Sequence, residues 1–239
     1  MNKPIEKPTF YQAYGKRAID VCLSATLLGA FWWVLAIIAV LVRVNLGSPV
    51  FFRQPRPGKD ERIFEMLKFR TMTDERDGSG ALLPDEVRLT SFGKALRASS
   101  LDELPEVMNI LRGDMSIIGP RPQLVRDMVF MTPEQRQRHS VRPGLSGLAQ
   151  ISGRNAIAWD DKLAKDLEYI ERISLFGDAS IFLRTIGKAF FRHEGITEEG
   201  MATAADLGDY LLSEQRITKE EYDMKQQEAR MIIESLNDC

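Results

Sequence analysis

Asp102 and Glu103 are neighbouring carboxylates inside the stretch Arg97-Ala98-Ser99-Ser100-Leu101-Asp102-Glu103-Leu104-Pro105-Glu106. Two accounts fit that spacing. In the structural one, Ser100 and Glu103 form a capping box, each side chain satisfying a free backbone N–H of the first helical turn. Pro105 then sits early in the helix, where its missing N–H does least harm. In the chemical one, a helix start is an anion site, and arginines flank it at Arg97, Arg112 and Arg121. A carboxylate held there meets phosphate, and it can bind Mg²⁺ or attack phosphorus. The spacing alone leaves both open.

The elements that would position this pair begin with an uncharged run from Val21 to Val42. It is long enough to cross about 30 Å of hydrocarbon as a helix. It is too long for a signal peptide, and no small-residue cleavage site follows. Lys16 and Arg17 flank one end; Arg43, Arg53 and Arg56 follow the other. Basic flanks at both ends fit a segment that enters and leaves by one face, or a single span of weakly specified orientation. Arg17 and Asp20 are three apart and can pair on one helix face.

Next, Pro49–Gln54 and Arg62–Phe69 read as two strands of a small hairpin around turn residues 55–60. Lys68 and Arg70 project from its end. Residues 73–84 read as a mobile loop, 85–97 as a helix, and Leu101 to Arg112 as the dicarboxylate helix. Ile117-Ile118-Gly119-Pro120-Arg121-Pro122 is a rigid loop whose arginine can fork onto phosphate or carboxylate. Thr132 to His139 is a short polar helix, and Trp159 to Ile173 is a longer one carrying Asp166. Residues 142–155 are glycine-rich but match neither a Walker A nor a GxGxxG pattern. From Asp178 to His193, Arg184, Lys188 and Arg192 form one cationic stripe beside aromatic and aliphatic positions. Such a helix can lie in a headgroup plane.

Charge divides the chain. Residues 197–239 carry 11 acidic and four basic side chains, against 23 acidic and 28 basic in the remainder. A basic body suits an anionic substrate or lipid surface. The acidic tail reads as a solvated appendage whose two helices could serve oligomerisation. Cys22 and Cys239 form no disulfide framework and have no metal-ligand spacing. His139 and His193 stand alone and receive no chemistry.

Taken in order, several motifs resemble the monotopic phosphoglycosyl transferases of the bacterial sugar transferase family. They are Lys16-Arg17…Asp20, Gln54-Pro55-Arg56-Pro57-Gly58, Lys68-Phe69-Arg70-Thr71-Met72, Ser100-Leu101-Asp102-Glu103-Leu104-Pro105, Gly113-Asp114-Met115-Ser116, Gly119-Pro120-Arg121-Pro122, Arg142-Pro143-Gly144 and Gly153-Arg154-Asn155. The resemblance spans roughly residues 14–205. It implies transfer of a sugar-1-phosphate from a UDP-sugar to polyprenol (undecaprenyl) phosphate at the cytoplasmic face of the bacterial inner membrane, with UMP released. Asp102 would be the nucleophile of a covalent, ping-pong route and Glu103 would hold Mg²⁺. Lys68, Arg97, Arg121, Arg154 and Asp166 match positions that shape the substrate site.

The resemblance further implies an α+β fold, predominantly helical, with an N-terminal re-entrant membrane helix, a small β-hairpin and interfacial amphipathic helices. Three parts are expected: a membrane-inserted segment 1–47, a catalytic domain 48–205 and an acidic helical hairpin 206–239. One departure stands out. The family's membrane helix carries a Ser-Pro pair at its middle, where this chain has Trp32-Trp33, and no proline lies between Pro8 and Pro49. Two rivals remain: a membrane-bound Mg²⁺-dependent UDP-sugar pyrophosphatase, and a non-enzymatic membrane-anchored scaffold in which Asp102 and Glu103 only cap a helix. The expected partners are a UDP-sugar, a polyprenol phosphate and membrane lipid, not nucleic acid.

Overall fold

The computed structural model describes residues 8–153, 158–191 and 206–236. The fold is α+β and mostly helical. A π-helical turn, Tyr11–Gly15, leads into α1 (Lys16–Leu46), a helix long and apolar enough to cross a membrane. Only 11% of its most apolar stretch is buried, unlike the core helix of a globular domain.

α1 is broken at Phe31, where φ −121° and ψ 17° leave helical geometry. No proline is needed. Trp33 Nε1 donates to the Ala30 carbonyl at 3.0 Å, so an indole enters the backbone ladder beside the break. Both ends of α1 rest on the same body. At the start, Arg17 donates to the carbonyls of Ile110 and Leu111, at 2.5 and 2.8 Å, and Asp20 accepts from Ile117 N and Ser116 Oγ. The expected Arg17–Asp20 pair is thus replaced by tertiary partners for each. At the other end, Ile38, Val42 and Leu46 bury against Phe69 and Leu96, with Leu104 alongside.

β1 (Phe51–Pro57) and β2 (Ile63–Phe69) form the antiparallel hairpin, with Phe52 opposite Lys68. The strands run further than the turn residues suggest, and the reversal falls at Gly58–Arg62. The helix expected over 85–97 is two pieces, α2 (Asp85–Arg88) and α3 (Ser91–Ala98). Thr90 divides them because its hydroxyl caps α3 by accepting from Gly93 N at 3.1 Å. Gly93 is required there: a Cβ would stand 1.9 Å from the Thr71 carbonyl oxygen.

After α4 (Glu106–Arg112), β3 (Ser116–Ile118) pairs in parallel with β4 (Gly144–Ser146). This second sheet falls where rigid loop and glycine-rich turn were expected. Between its strands lie α5 (Val125–Met128) and α6 (Pro133–Arg136), the latter with a Thr132/Gln135 capping box. α7 (Leu148–Ser152), α8 (Trp159–Glu171) and α9 (Leu175–Phe191) complete the body. Tyr169, Ile173 and Ile181 pack with Ile118 and Ile151 in a core beneath the second sheet. α9 exposes Phe176 and Leu183 and buries Ile181. Arg192 and His193 lie outside the described residues.

α10 (Leu207–Ser213) and α11 (Lys219–Ser235) are not a free appendage. Leu207 and Leu211 bury with Met131, Trp159 and Leu163, and Ala229 buries against Val125, Met128 and Val129. Asp127, buried on α5, accepts from Leu207 N at 2.9 Å and fastens the tail to the body. The acidic side chains are what this packing leaves outside.

Candidate functional site

The site forms where the end of β2 meets the turn ahead of α4. Fully buried Asn109 joins the two: its Oδ1 accepts from Leu67 N at 3.0 Å and its Nδ2 donates to the Glu65 carbonyl at 2.7 Å. That clamp delivers Lys68, the next residue of β2, to the carboxylates. Lys68 Nζ lies 2.6 Å from Glu103 Oε1 and 3.3 Å from Glu106 Oε1. Arg70 is buried as well, donating to the Ser48 and Met72 carbonyls, so neither is an ordinary solvated cation.

The capping box does not form. Ser100 adopts a left-handed backbone (φ 56°, ψ 16°) and makes no side-chain cap. For a residue with a Cβ this conformation costs about 1 kcal/mol. The chain turns sharply there, enters a 3₁₀ turn at Leu101–Glu103, and begins α4 only at Glu106. Glu103 is therefore released from its helix. Its Oε1 accepts from Lys68 Nζ and from Arg121 at 3.2 Å, while Oε2 has no partner among the described residues. Burial pushes the Glu103 carboxyl up, but Arg121 and Lys68 outweigh it and hold it down to about 2.

Asp102 is the opposite case. It is buried, and among the described residues no ion pair and no hydrogen bond from another residue holds its carboxylate, which only its own backbone N–H faces. Burial pushes its carboxyl above the usual range, with Lys68 and Arg97 opposing and Glu103 reinforcing. Asp102 is thus desolvated without an ion-pair partner, whereas its neighbour is pinned.

Arg97 reaches the site from the last turn of α3 and donates to Thr71 Oγ1 at 3.0 Å. Arg121 stands on its proline-flanked loop, which is fixed from three directions. Arg56 donates to the Pro122 carbonyl at 3.1 Å, Arg138 donates to the Arg121 carbonyl at 2.6 Å, and Gly144 N donates to the Pro120 carbonyl at 2.9 Å. Glu103 beside it raises the Arg121 guanidinium further, keeping it charged. Asp166 does not join the carboxylate cluster. Its Oδ2 accepts from Arg138 Nε and Nη2, at 2.9 and 2.6 Å, so it reaches the site only through Arg138 and the Arg121 backbone. Arg154 lies outside the described residues. Sequence reasoning passed over Arg138 and Glu106; the acid three residues beyond Glu103 was visible, but its contact with Lys68 is tertiary.

Mg²⁺ is commonly held by one or two carboxylates together with substrate phosphates and water. Glu103 fits that mode, being ionised and carrying an oxygen without a partner. Among the described residues no group of three or more His, Cys, Asp or Glu side chains is poised to hold a metal.

The geometry thus sets a carboxylate without an ion pair, Asp102, beside one pinned by Lys68 and Arg121, with Arg97 on the adjoining helix. Residues 11–192 match the family described as bacterial sugar transferase. The chain is similar to the uncharacterized sugar transferase EpsL of Bacillus subtilis, 46% identical over 189 residues, which cover 79% of this chain and 93% of that one. It is 38% identical over 181 residues to the UDP-glucose:undecaprenyl-phosphate glucose-1-phosphate transferase of Caulobacter vibrioides, covering 72% and 68%. A UDP-N-acetylgalactosamine-undecaprenyl-phosphate N-acetylgalactosaminephosphotransferase of Aeromonas hydrophila is 37% identical over 187 residues, covering 75% of this chain and 44% of that longer one. The chain belongs to the bacterial sugar transferase family and is a phosphoglycosyl transferase.

Proposed function

We propose that this enzyme moves a sugar-1-phosphate from a UDP-sugar to undecaprenyl phosphate through a covalent intermediate on Asp102. An Asp102 oxygen attacks the phosphorus that bears the sugar. The bond from that phosphorus to the bridging oxygen breaks, and UMP leaves with that oxygen. A phosphate oxygen of the lipid then attacks the same phosphorus, Asp102 is released, and the product is a lipid diphosphosugar. The two-step route lets a water-soluble donor and a membrane acceptor use one site in turn.

The observation that carries this reading is the unequal treatment of the two carboxylates: Asp102 buried and unheld, Glu103 pinned by Lys68 and Arg121. An anion approaching a diphosphate needs cations at the developing charge. Lys68 and Arg121 supply them from the chain itself. Mg²⁺, held by Glu103 and the diphosphate, would add electrophilic stabilisation of the phosphoryl oxygens. Relatives whose names specify glucose or N-acetylgalactosamine bear comparable identity to this chain, so the family leaves the sugar open.

The same reading makes α1 re-entrant and places the site at the cytoplasmic face of the inner membrane. A straight helix would put Arg17 and Val42 roughly 37 Å apart. Both instead bear on α4 and the turn just before it, through Ile110 and Leu104. With the break at Phe31, that packing supports two halves returning to one side of the bilayer. The exposed Phe176 and Leu183 of α9 would then lie in the headgroup plane. Any homo-oligomer through the tail would use the outer face of α11, where Met224 and Met231 are exposed.

The test is incubation of the lipid-embedded protein with Mg²⁺ and a panel of UDP-sugars, first without undecaprenyl phosphate and read by intact mass, then with it and read by product analysis. A phosphosugar adduct that disappears in Asp102→Asn is the expected result. Transfer to undecaprenyl phosphate that persists in Asp102→Asn would overturn the covalent route. Release of UMP and free sugar phosphate, with the lipid acceptor unused, would favour the pyrophosphatase.

A further inference from the structure

Glu106 takes no part in the chemistry above, yet it completes the cluster. It opens α4, three residues past Glu103 and four past Asp102, and is 3% exposed. Its ion-pair partner is the Lys68 ammonium, which it shares with Glu103. The two carboxylates differ in access: the Glu103 side chain is 24% exposed and that of Glu106 only 4%. Lys68 therefore sits between an outer carboxylate that substrate can reach and an inner one that it cannot. A structural account also exists, since an acid in the first turn of a helix complements its dipole. That account does not explain why the acid is turned onto a cation that also bonds Glu103.

We propose that Glu106 is a positioning residue, the fixed inner seat that keeps the Lys68 ammonium at the mouth of the site when Glu103 is engaged by the donor. The inference rests on the transferase reading. Lys68 has three N–H donors on a flexible stem. With one given to Glu106, two remain for phosphate oxygens. Without Glu106, Glu103, already 2.6 Å from the ammonium, is the only carboxylate left to hold it, and the lysine competes with the donor for that group.

The experiment is a double-mutant cycle on the full chain in lipid: wild type, Glu106→Gln, Lys68→Met and the pair. Two readouts are taken, kcat/KM for transfer and the Kd for UDP. Glu106→Gln is expected to lower kcat/KM on the order of tenfold or more and to weaken UDP binding several-fold. On the Lys68→Met background it is expected to change either quantity less than about twofold, because the lysine it seats is gone. Glu106→Asp, which keeps the charge, should recover part of the loss and serves in place of Glu106→Gln if thermal unfolding shows the latter misfolded. Multiplicative effects of the two substitutions in an active, UDP-binding protein would overturn the positioning role alone. A wild-type protein that neither transfers nor binds UDP would overturn the transferase reading and this inference with it.

Discussion

At the root of α1, Asp178 gathers Lys16, Tyr11 and Tyr169 onto its two carboxylate oxygens, and Tyr169 also donates to the Ile118 carbonyl. At the other cluster, Glu103 and Glu106 share Lys68, Glu103 also takes Arg121, and Asp102 goes without an ion pair. Both clusters hold carboxylates at low exposure, but only the first is saturated. Asp178 closes a joint between α1, α8 and α9. The second cluster keeps one carboxylate unpaired and one oxygen of another without a contact, and those are the groups a diphosphate and a metal would complete. In a low-dielectric setting an unpaired charge is expensive, so the imbalance marks a place where folding alone does not explain the residues.

The sharpest way to break this contrast is Asp102→Asn. Transfer is expected to fall by roughly three orders of magnitude or more, the scale of nucleophile deletions, while thermal stability at neutral pH holds or rises. The sign follows from the raised carboxyl of Asp102: its folded form disfavours ionisation, and an amide removes that cost. Retained transfer with lost stability would make Asp102 a structural acid. Asp166→Asn acts outside both clusters, on the buried Arg138–Asp166 pair behind the Arg121 loop. Arg138 and Asp166 are 1% and 2% exposed, and removing one charge leaves the other buried alone. The expected cost is about 3 to 5 kcal/mol in denaturant unfolding, with about a tenfold loss of kcat/KM in the molecules that remain folded, because the Arg121 loop loses a support. Asp178→Asn should cost slightly less, about 3 kcal/mol, since Lys16 keeps some exposure. Its transfer rate per folded molecule should change less than about threefold, because no group of the second cluster touches it.

Much of the scaffold was legible because it is written in local patterns. The uncharged run predicts α1, and alternation around a Pro/Gly turn predicts the hairpin. Elsewhere tertiary contacts overrule the pattern. Ser100 and Glu103 have capping-box spacing, but Lys68 and Arg121 offer Glu103 stronger partners than a backbone N–H. Arg17 and Asp20 have pairing spacing, but the end of α4 and the start of β3 take one each. The β3–β4 pair is three residues long on each side and has no periodicity to read. It depends on close backbone approach, with a Cβ on Gly144 placed 2.0 Å from Gly119 N. The break in α1 lies beside an indole bonded to the Ala30 carbonyl, a feature that proline-based reasoning does not look for.

The smallest effects are in pH, and they run in opposite directions for two buried groups. Burial pushes Glu106 up to about 7 against the pull of Lys68. Its contribution is fully present below the unfolded value of 4.5 and is lost as pH rises to about 7. His139, in a cluster with Glu61, Arg136 and Arg138, is lowered to about 4, first by burial and then by Arg138. Its contribution is present above the unfolded value of 6.5 and is lost as pH falls towards 4. Unfolding followed from pH 4 to pH 8 should therefore show Glu106→Gln gaining on wild type between about pH 4.5 and 7, by of order 2 kcal/mol at the upper end. His139→Gln should flatten the acid-side decline instead and leave the neutral side alone. Were Glu106→Gln to track wild type throughout, Glu106 would be ionised at no cost, the second cluster would be as well compensated as the first, and the contrast between the saturated and unsaturated clusters would rest on Asp102 alone.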